Sequence, residues 1–331
     1  MIRFENLGYK YTADEIIEYY SAPPVNEYFV SFCENLIEEL RQIGKIRTTE
    51  TYTTTLNSFK RFMNFRKKGR DIPFDNIDSN LMMEYEQYLK SNDICPNSTS
   101  YYMRNLRAMY NRAVEKELVI QRYPFKHVYT GIDKTVKRAV PAKIIRQIRD
   151  MDLSHDSSLE YARDLFMFSF YTRGMSFIDM AYLKKSNLQN GFLSYRRKKT
   201  NQQLVIKWEK PMQEIIDKYD TIGSSYLLPI ILDAKTDERK QYKNAAQLVN
   251  SKLKKLGKQI GLPIPLTSYV ARHAWASIAR SKNIPLATIS EAMGHDSEST
   301  TRIYLASLDT SVVDKANSCL LYTSPSPRDC S

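Results

Sequence analysis

From Pro24 onward the apolar residues recur at the spacing of an α-helix, and this periodicity confines the first third of the chain to a helical bundle. In PVNEYFVSFCENLIEELRQIGK the set Phe29, Phe32, Leu36, Leu40 and Ile43 forms one i, i+3, i+4 stripe. A second helix carries Tyr52, Leu56, Phe59 and Met63. A third, SNLMMEYEQYLKS, follows the turn-rich DIPFDNID, and a fourth starts at the capping cluster PNSTS. Four such helices make a bundle of about a hundred residues. With 331 residues in all, the chain exceeds the usual single core, so two domains are expected.

The polar, basic stretch YTGIDKTVKRAVPAK closes on a proline before a new helix and reads as the link between them. The expected division is a short lead over 1–23, a first domain over 24–130, a linker over 131–140 and a second domain over 141–318. The second domain should be helical from Pro141 to about Ile178. A β-hairpin follows in GFLSYRRKKTNQQLVIKW, its Lys/Asn-rich turn lying between Tyr195 and the β-favouring LVIKW. From about Lys210 to Ala316 the pattern is helices with short loops. The fold class is therefore mainly α with a small β-sheet. Residues 319–331, CLLYTSPSPRDCS, resemble a sequencing-library transposon adapter translated in frame and are set aside from fold reasoning.

The chain carries 49 Lys and Arg against 37 Asp and Glu, a formal charge of +12. Such an excess calls for a polyanionic partner, most simply a nucleic acid. Two bundle helices present basic faces. The second shows Lys60 and Arg61 and runs into Arg66, Lys67, Lys68 and Arg70; the fourth shows Arg104, Arg107 and Arg112 beside Asn111. Taken singly, a charged helix face is an ordinary solvated face, but here positive charge outweighs negative, which suits DNA phosphates. No stretch approaches the roughly 20 apolar residues of a membrane span, and the N-terminus lacks the apolar core of a signal peptide. A cytoplasmic, nucleoid-associated protein with no membrane partner is expected. The four Cys are scattered without a C-x-x-C pair and the four His do not cluster, so neither a bound metal nor a cofactor is expected.

The chemistry-bearing pattern lies in the second half. LTSYVARHAWAS sets Arg272 in a helical run, and EAMGHDSESTTRIYLASL sets His295 just after a Gly helix stop, with Tyr304 nine residues later. Lys199 falls in the hairpin turn and Arg173 in YTRGMSFIDM. In this order and spacing the chain resembles the tyrosine recombinase (phage integrase) family, more narrowly the integrases of Bacteroidetes mobile elements, over about residues 25–318. The resemblance implies a SAM-like core-binding domain and a catalytic domain of the DNA breaking-rejoining fold, which close on duplex DNA as a C-shaped clamp. It implies site-specific strand exchange at double-stranded attachment sites by a tetramer on DNA, with accessory DNA-bending or excision factors, to integrate or excise a mobile element. The lead over 1–23 would then be the stub of an arm-binding domain.

By the same resemblance Tyr304 is the nucleophile, giving a 3′-phosphotyrosyl ester and a free 5′-hydroxyl. Arg272 neutralises charge on the non-bridging oxygens, where a planar guanidinium fork is the best fixed complement. Lys199 protonates the departing 5′ oxygen, and His295 is a hydrogen-bonding or acid/base partner near Tyr304. The ester conserves the bond energy, so religation needs neither ATP nor metal.

Two positions depart from the family pattern. Tyr269 stands where the family has a His three residues before the second Arg; its hydroxyl can bond a phosphate but lacks the near-neutral pKa of His. Ser176 stands at the usual first-Arg position. Arg173, one helical turn earlier, is the expected substitute, and Arg197, two residues before Lys199 on the same strand face, is the alternative. Two other functions share these residues: a type IB topoisomerase-like relaxing enzyme, and a catalytically inactive DNA-binding relative.

Overall fold

The computed structural model describes residues 28–305 apart from Lys68, Arg70, residues 134–137 and Ala234. The lead over 1–23, the centre of the 131–140 link and the 319–331 extension lie outside the described residues. The chain divides into two compact units, Met1–Thr135 and Val136–Ser331.

In the first unit, helices α1 (Phe29–Gln42), α2 (Ile46–Phe65), α3 (Ser79–Ser91) and α4 (Pro96–Glu115) enclose one core. Phe29, Phe32, Leu36 and Leu40 bury the face that their spacing demands, against Phe59, Phe62, Tyr85, Leu106 and Tyr110. Ile43 does not join them. It is the C-cap of α1, with Gly44 turning the chain away at φ +73°, and it stays 66% exposed. The α1 N-cap, Tyr28, offers no side-chain acceptor. Asp71 supplies one from a distant loop, accepting from the backbone N–H groups of Val30 at 2.7 Å and Ser31 at 2.9 Å.

The cluster PNSTS does open α4, though not by capping it. The N-cap is Cys95, and Pro96 occupies the first turn, where its missing N–H costs nothing. Asn97 and Ser100 turn outward to hold the chain that leaves the bundle. The Asn97 amide exchanges hydrogen bonds with the backbone of Asp133, and the Ser100 hydroxyl donates to the Gly131 carbonyl at 2.6 Å.

The second unit is built around α6 (Ser157–Tyr171), preceded by α5 (Ala142–Arg149) and followed by the short α7 (Phe177–Ala181). Leu159, Ala162, Leu165, Phe166, Met167 and Phe168 leave α6 almost no exposed face, as befits a central helix. The helical run expected to about Ile178 is thus three helices. Asp156 starts α6 by accepting from the N–H groups of Ser158 and Leu159, and the left-handed pair Arg173 and Gly174 ends it.

A three-stranded antiparallel sheet follows in the order β1 (Leu188–Gln189), β2 (Phe192–Arg196), β3 (Gln203–Lys207). In the β2–β3 register Leu193 pairs with Ile206 and Tyr195 with Leu204, so these four face the core while Val205 stays 51% exposed. Helix α8 (Lys210–Ile216) leads into a segment that departs from the expected short loops. Apart from Ala234, residues 217–237 are irregular, broken by Gly223 and Pro229, yet Tyr226, Leu227, Leu228, Ile230 and Ile231 are buried. A short apolar run of this kind serves as buried extended chain as well as helix. It docks by backbone pairing, Leu227 N–H to Leu183 O at 2.8 Å and Lys185 N–H to Ser225 O at 2.9 Å. Helices α9 (Glu238–Gln259), α10 (Ser268–Ser281), α11 (Leu286–Ala292) and α12 (Glu298–Tyr304) complete the unit, with α9 and α10 packed on α6.

Candidate active site

Val270, Ala271 and Ala274 bury one face of α10 and carry Arg272 inward with it, leaving that residue 4% exposed. A buried guanidinium must be hydrogen-bonded. Arg272 donates through Nη1 to the Gly174 carbonyl at 2.7 Å, and through Nη2 to the Met293 carbonyl and to His295 Nε2, each at 2.7 Å.

His295 follows α11 across Gly294, whose φ of +63° ends the helix. This position has no room for a side chain, because a Cβ there would lie 2.8 Å from Cδ of Arg197. The imidazole is buried, with Nδ1 2.8 Å from the Thr301 hydroxyl on α12. Burial first, then the charges of Arg272, Arg197 and Lys199, push its pKa down to about 3, so the ring is neutral in the physiological range. A guanidinium only donates, so Nε2 is the acceptor in the Arg272 contact.

Arg197 enters the same cluster from the end of β2. It is 6% exposed, donates through Nη1 to the Gly294 carbonyl, and sets Nε 3.9 Å from the buried carboxylate of Asp179. Asp179 also accepts from the Lys198 N–H at 2.8 Å and from the Ser176 hydroxyl at 2.6 Å. Together with the Lys198 ammonium 4.4 Å above the Tyr182 ring, these contacts fix the root of the turn that bears Lys199. Lys199 itself is exposed, yet its charge acts on His295. Two guanidinium groups from separate elements thus rest on the consecutive carbonyls of Met293 and Gly294.

The other expected residues stand apart from this cluster to varying degrees. Arg173, partly buried at φ +60°, occupies the left-handed position that ends α6, and the Gly174 N–H closes the motif on Ser169 O at 2.8 Å. Among the described residues its side chain has no hydrogen bond to Arg272, yet its charge acts on the buried Tyr195 hydroxyl together with those of Arg272 and Arg197. Ser176 caps α7 and belongs to the Asp179 network. Tyr269, one turn before Arg272, is 44% exposed and meets the His273 ring edge-on at 4.8 Å. Tyr304 is the last residue of α12, and its side chain lies outside the described residues.

In the first unit Arg61, Lys67, Arg104 and Arg107 are exposed. Three further expected DNA contacts also lie beside carboxylates: Lys60 by Glu34, Arg66 by Glu84 at 2.9 Å, and Arg112 by Glu115 at 3.8 Å. Lys68 lies outside the described residues. Among the described residues no three His, Cys, Asp or Glu side chains converge as metal ligands, and no helix is long and apolar enough to cross a membrane.

Asp179, Thr301 and Gly174 escaped the sequence reading. Ser176 and Asp179 have the S-x-x-D spacing of a capping box, a signal that could have located the helix start but not the carboxylate's second task. Nothing in the sequence sets Thr301 apart from its neighbours Ser299 and Thr300.

Residues 28–130 match the family model described as the phage integrase SAM-like domain, and residues 142–311 match that of the phage integrase family. The chain is 25% identical to tyrosine recombinase XerC of Rickettsia bellii over 275 residues, 78% of this chain and 85% of that one. It is 25% identical to tyrosine recombinase XerA of Saccharolobus solfataricus over 122 residues, 37% of either chain. Its fold is similar to that of a lambda integrase tetramer bound to a Holliday junction (TM-score 0.64, 15% identity, 84% of this chain and 77% of that one). It is also similar to XerH site-specific recombinase bound to a palindromic difH substrate (TM-score 0.62, 16% identity, 88% and 85%). With the catalytic family model matched across more than half its length, the chain belongs to the phage integrase family of tyrosine recombinases.

Proposed function

We propose that this chain is a site-specific DNA recombinase that cleaves and rejoins strands through a phosphotyrosyl ester on Tyr304. One observation carries the assignment of the site. Arg272, Arg197 and His295, brought from α10, the hairpin and the α11 stop, meet on the backbone of residues 293–295, just ahead of the helix that ends in Tyr304.

In the reaction the Tyr304 hydroxyl gives up its proton to solvent, its oxygen attacks phosphorus, and the bond to the 5′ oxygen breaks. Lys199, at the tip of an anchored turn, gives its proton to that leaving oxygen. A 5′-hydroxyl later attacks the ester and returns the tyrosine, so no high-energy cofactor is consumed. Arg272 and Arg197 are the guanidinium pair that meets charge on the non-bridging oxygens. A guanidinium has five N–H donors, so contacts that orient it and contacts to phosphate coexist on one group. Of the two candidates for the first arginine, Arg197 is favoured over Arg173 by its burial beside Gly294 and Asp179. His295 serves as a neutral acceptor that holds Arg272, and the exposed Tyr269 hydroxyl reaches for phosphate in place of the family's His.

Residues 24–130 act as the core-binding domain, gripping duplex attachment sites through Arg61, Lys67, Arg104 and Arg107, and residues 141–318 act as the catalytic domain. Strand exchange proceeds in a tetramer on DNA with accessory bending or excision factors. The test uses a nicked suicide duplex drawn from the DNA flanking the gene. Wild type should leave a denaturant-resistant protein–DNA adduct, and Tyr304→Phe should leave none while binding within a few-fold. An adduct with the Phe variant contradicts the proposal. Relaxation of plasmid lacking any attachment site would favour the topoisomerase reading instead.

A further inference from the structure

We infer that Thr301 is a positioning residue for strand transfer: its hydroxyl accepts the proton on His295 Nδ1 and thereby fixes the tautomer whose Nε2 holds the Arg272 guanidinium. The inference rests on the site described under the proposed function. Because Arg272 can only donate, the short contact between Nη2 and Nε2 requires a lone pair on Nε2. A neutral imidazole has one N–H, which must then sit on Nδ1, and the Thr301 oxygen lies 2.8 Å from that atom. Thr301 is completely buried, so no water replaces the hydroxyl if it is removed. Its β-branched side chain restricts rotation about χ1, which aims the oxygen.

The position of Thr301 adds a second consequence. It lies on α12 one turn before Tyr304, so a single hydrogen-bonded chain, α12 to Thr301 to His295 to Arg272, runs from the helix bearing the nucleophile to the group that meets the phosphate. Without the hydroxyl, the Nδ1 proton is left unsatisfied in a buried site, and the tautomer with its proton on Nε2 gains ground. That tautomer points an N–H at the N–H of Arg272, and the guanidinium is displaced.

Among the described residues the charged groups acting on the ring are Arg272 from α10 and Arg197 and Lys199 from the hairpin. All are cationic and favour the neutral ring whichever nitrogen carries the proton. These charges therefore do not select the tautomer, whereas the hydrogen bonds to Thr301 and Arg272 do.

The experiment is ¹⁵N NMR of the His295 ring in the full chain, paired with single-turnover cleavage by the same variants. Wild type should show a protonated Nδ1 and an acceptor Nε2. Thr301→Val should populate the other tautomer and slow cleavage about tenfold, the worth of one hydrogen bond, with DNA binding retained. Thr301→Ser restores the hydroxyl and should bring back both the tautomer and the rate to within about threefold. A wild-type ring protonated on Nε2, or a Val variant that loses rate with its tautomer unchanged, overturns the inference. Should the Val variant fail to fold, the wild-type ring and the Ser variant still decide. The ring is read without DNA or turnover, so a protein that forms no Tyr304 adduct would refute the proposed reaction separately from the Thr301 relationship.

Discussion

Gly174 and Arg272 touch backbone to backbone. A Cβ on Gly174 would lie 2.7 Å from the Cα of Arg272, and the Gly174 carbonyl accepts from the Arg272 guanidinium at 2.7 Å. The glycine, at φ +74°, therefore sets both how closely α10 approaches the end of α6 and where the arginine points. Gly174→Ala should cost about 1–2 kcal/mol from its left-handed backbone alone, before the clash is counted. Its cleavage rate should fall further than its stability, because Arg272 is displaced. A chemical denaturation curve beside a single-turnover assay checks the pair; loss of stability with an unchanged rate would separate Gly174 from the site.

Arg197 and Arg173 give opposite expectations. Losing one preorganised donor to a transition-state anion costs about 100- to 1000-fold in rate, and Arg197→Ala should lose about that much. Arg197→Lys should recover little, since an ammonium cannot reproduce the planar fork. Arg173→Ala should remain within about tenfold of wild type, because among the described residues its side chain makes no hydrogen bond or ion pair with the cluster and acts there only through its charge on Tyr195. Removing Arg197 also strips a cationic neighbour from buried Asp179, so each rate must be read beside a thermal melt. Collapse of Arg173→Ala with a near-native Arg197→Ala would return the role to Arg173.

The bundle was legible because burial follows the helical stripe from Phe29 to Leu40, and the hairpin because its turn residues separate two β-favouring runs. Arg272, His295 and Tyr304 stood out as candidates because their spacing lies within a short span of chain. What the sequence withheld was convergence. Arg197 lies 97 residues from the Gly294 carbonyl it contacts, and Arg272 lies 98 residues from that of Gly174. Only the packed core decides that Arg197 turns inward while Arg173 spends its backbone on ending a helix. The irregular course of 217–237 was hidden for a related reason, since an apolar run such as Tyr226–Ile231 fits a buried strand or a buried helix equally well.

His295 makes stability depend on acid. Its pKa of about 3 lies below the ordinary 6.5, so between these values the unfolded chain binds a proton that the folded one does not. The stabilisation is fully present above about pH 6.5 and is lost as pH falls towards 3. His295→Gln should flatten this part of the stability–pH curve relative to wild type. Equal slopes for the two proteins, measured by denaturation from pH 7 to pH 4, would mean that the ring is not held neutral.

DNA affinity should fall steeply with salt, by about 0.9 log units per log unit of salt for each phosphate contact. Reversing Arg104 and Arg107 to Glu should weaken binding to all sequences and flatten that slope. Reversing Lys60 and Arg112, which already face carboxylates, should change it less. The opposite ranking in a binding titration across salt concentrations would move the DNA face of the first unit elsewhere.

The proposed reaction passes through a covalent bond between Tyr304 and DNA, which peptide mapping of the trapped adduct would reveal. After nuclease and protease digestion, the peptide containing Tyr304 should carry the mass of the residual nucleotide, with fragmentation assigning it to that tyrosine through a 3′-phosphate. A nucleotide on any other residue, or DNA cleaved with no nucleotide left on the protein, would contradict the account.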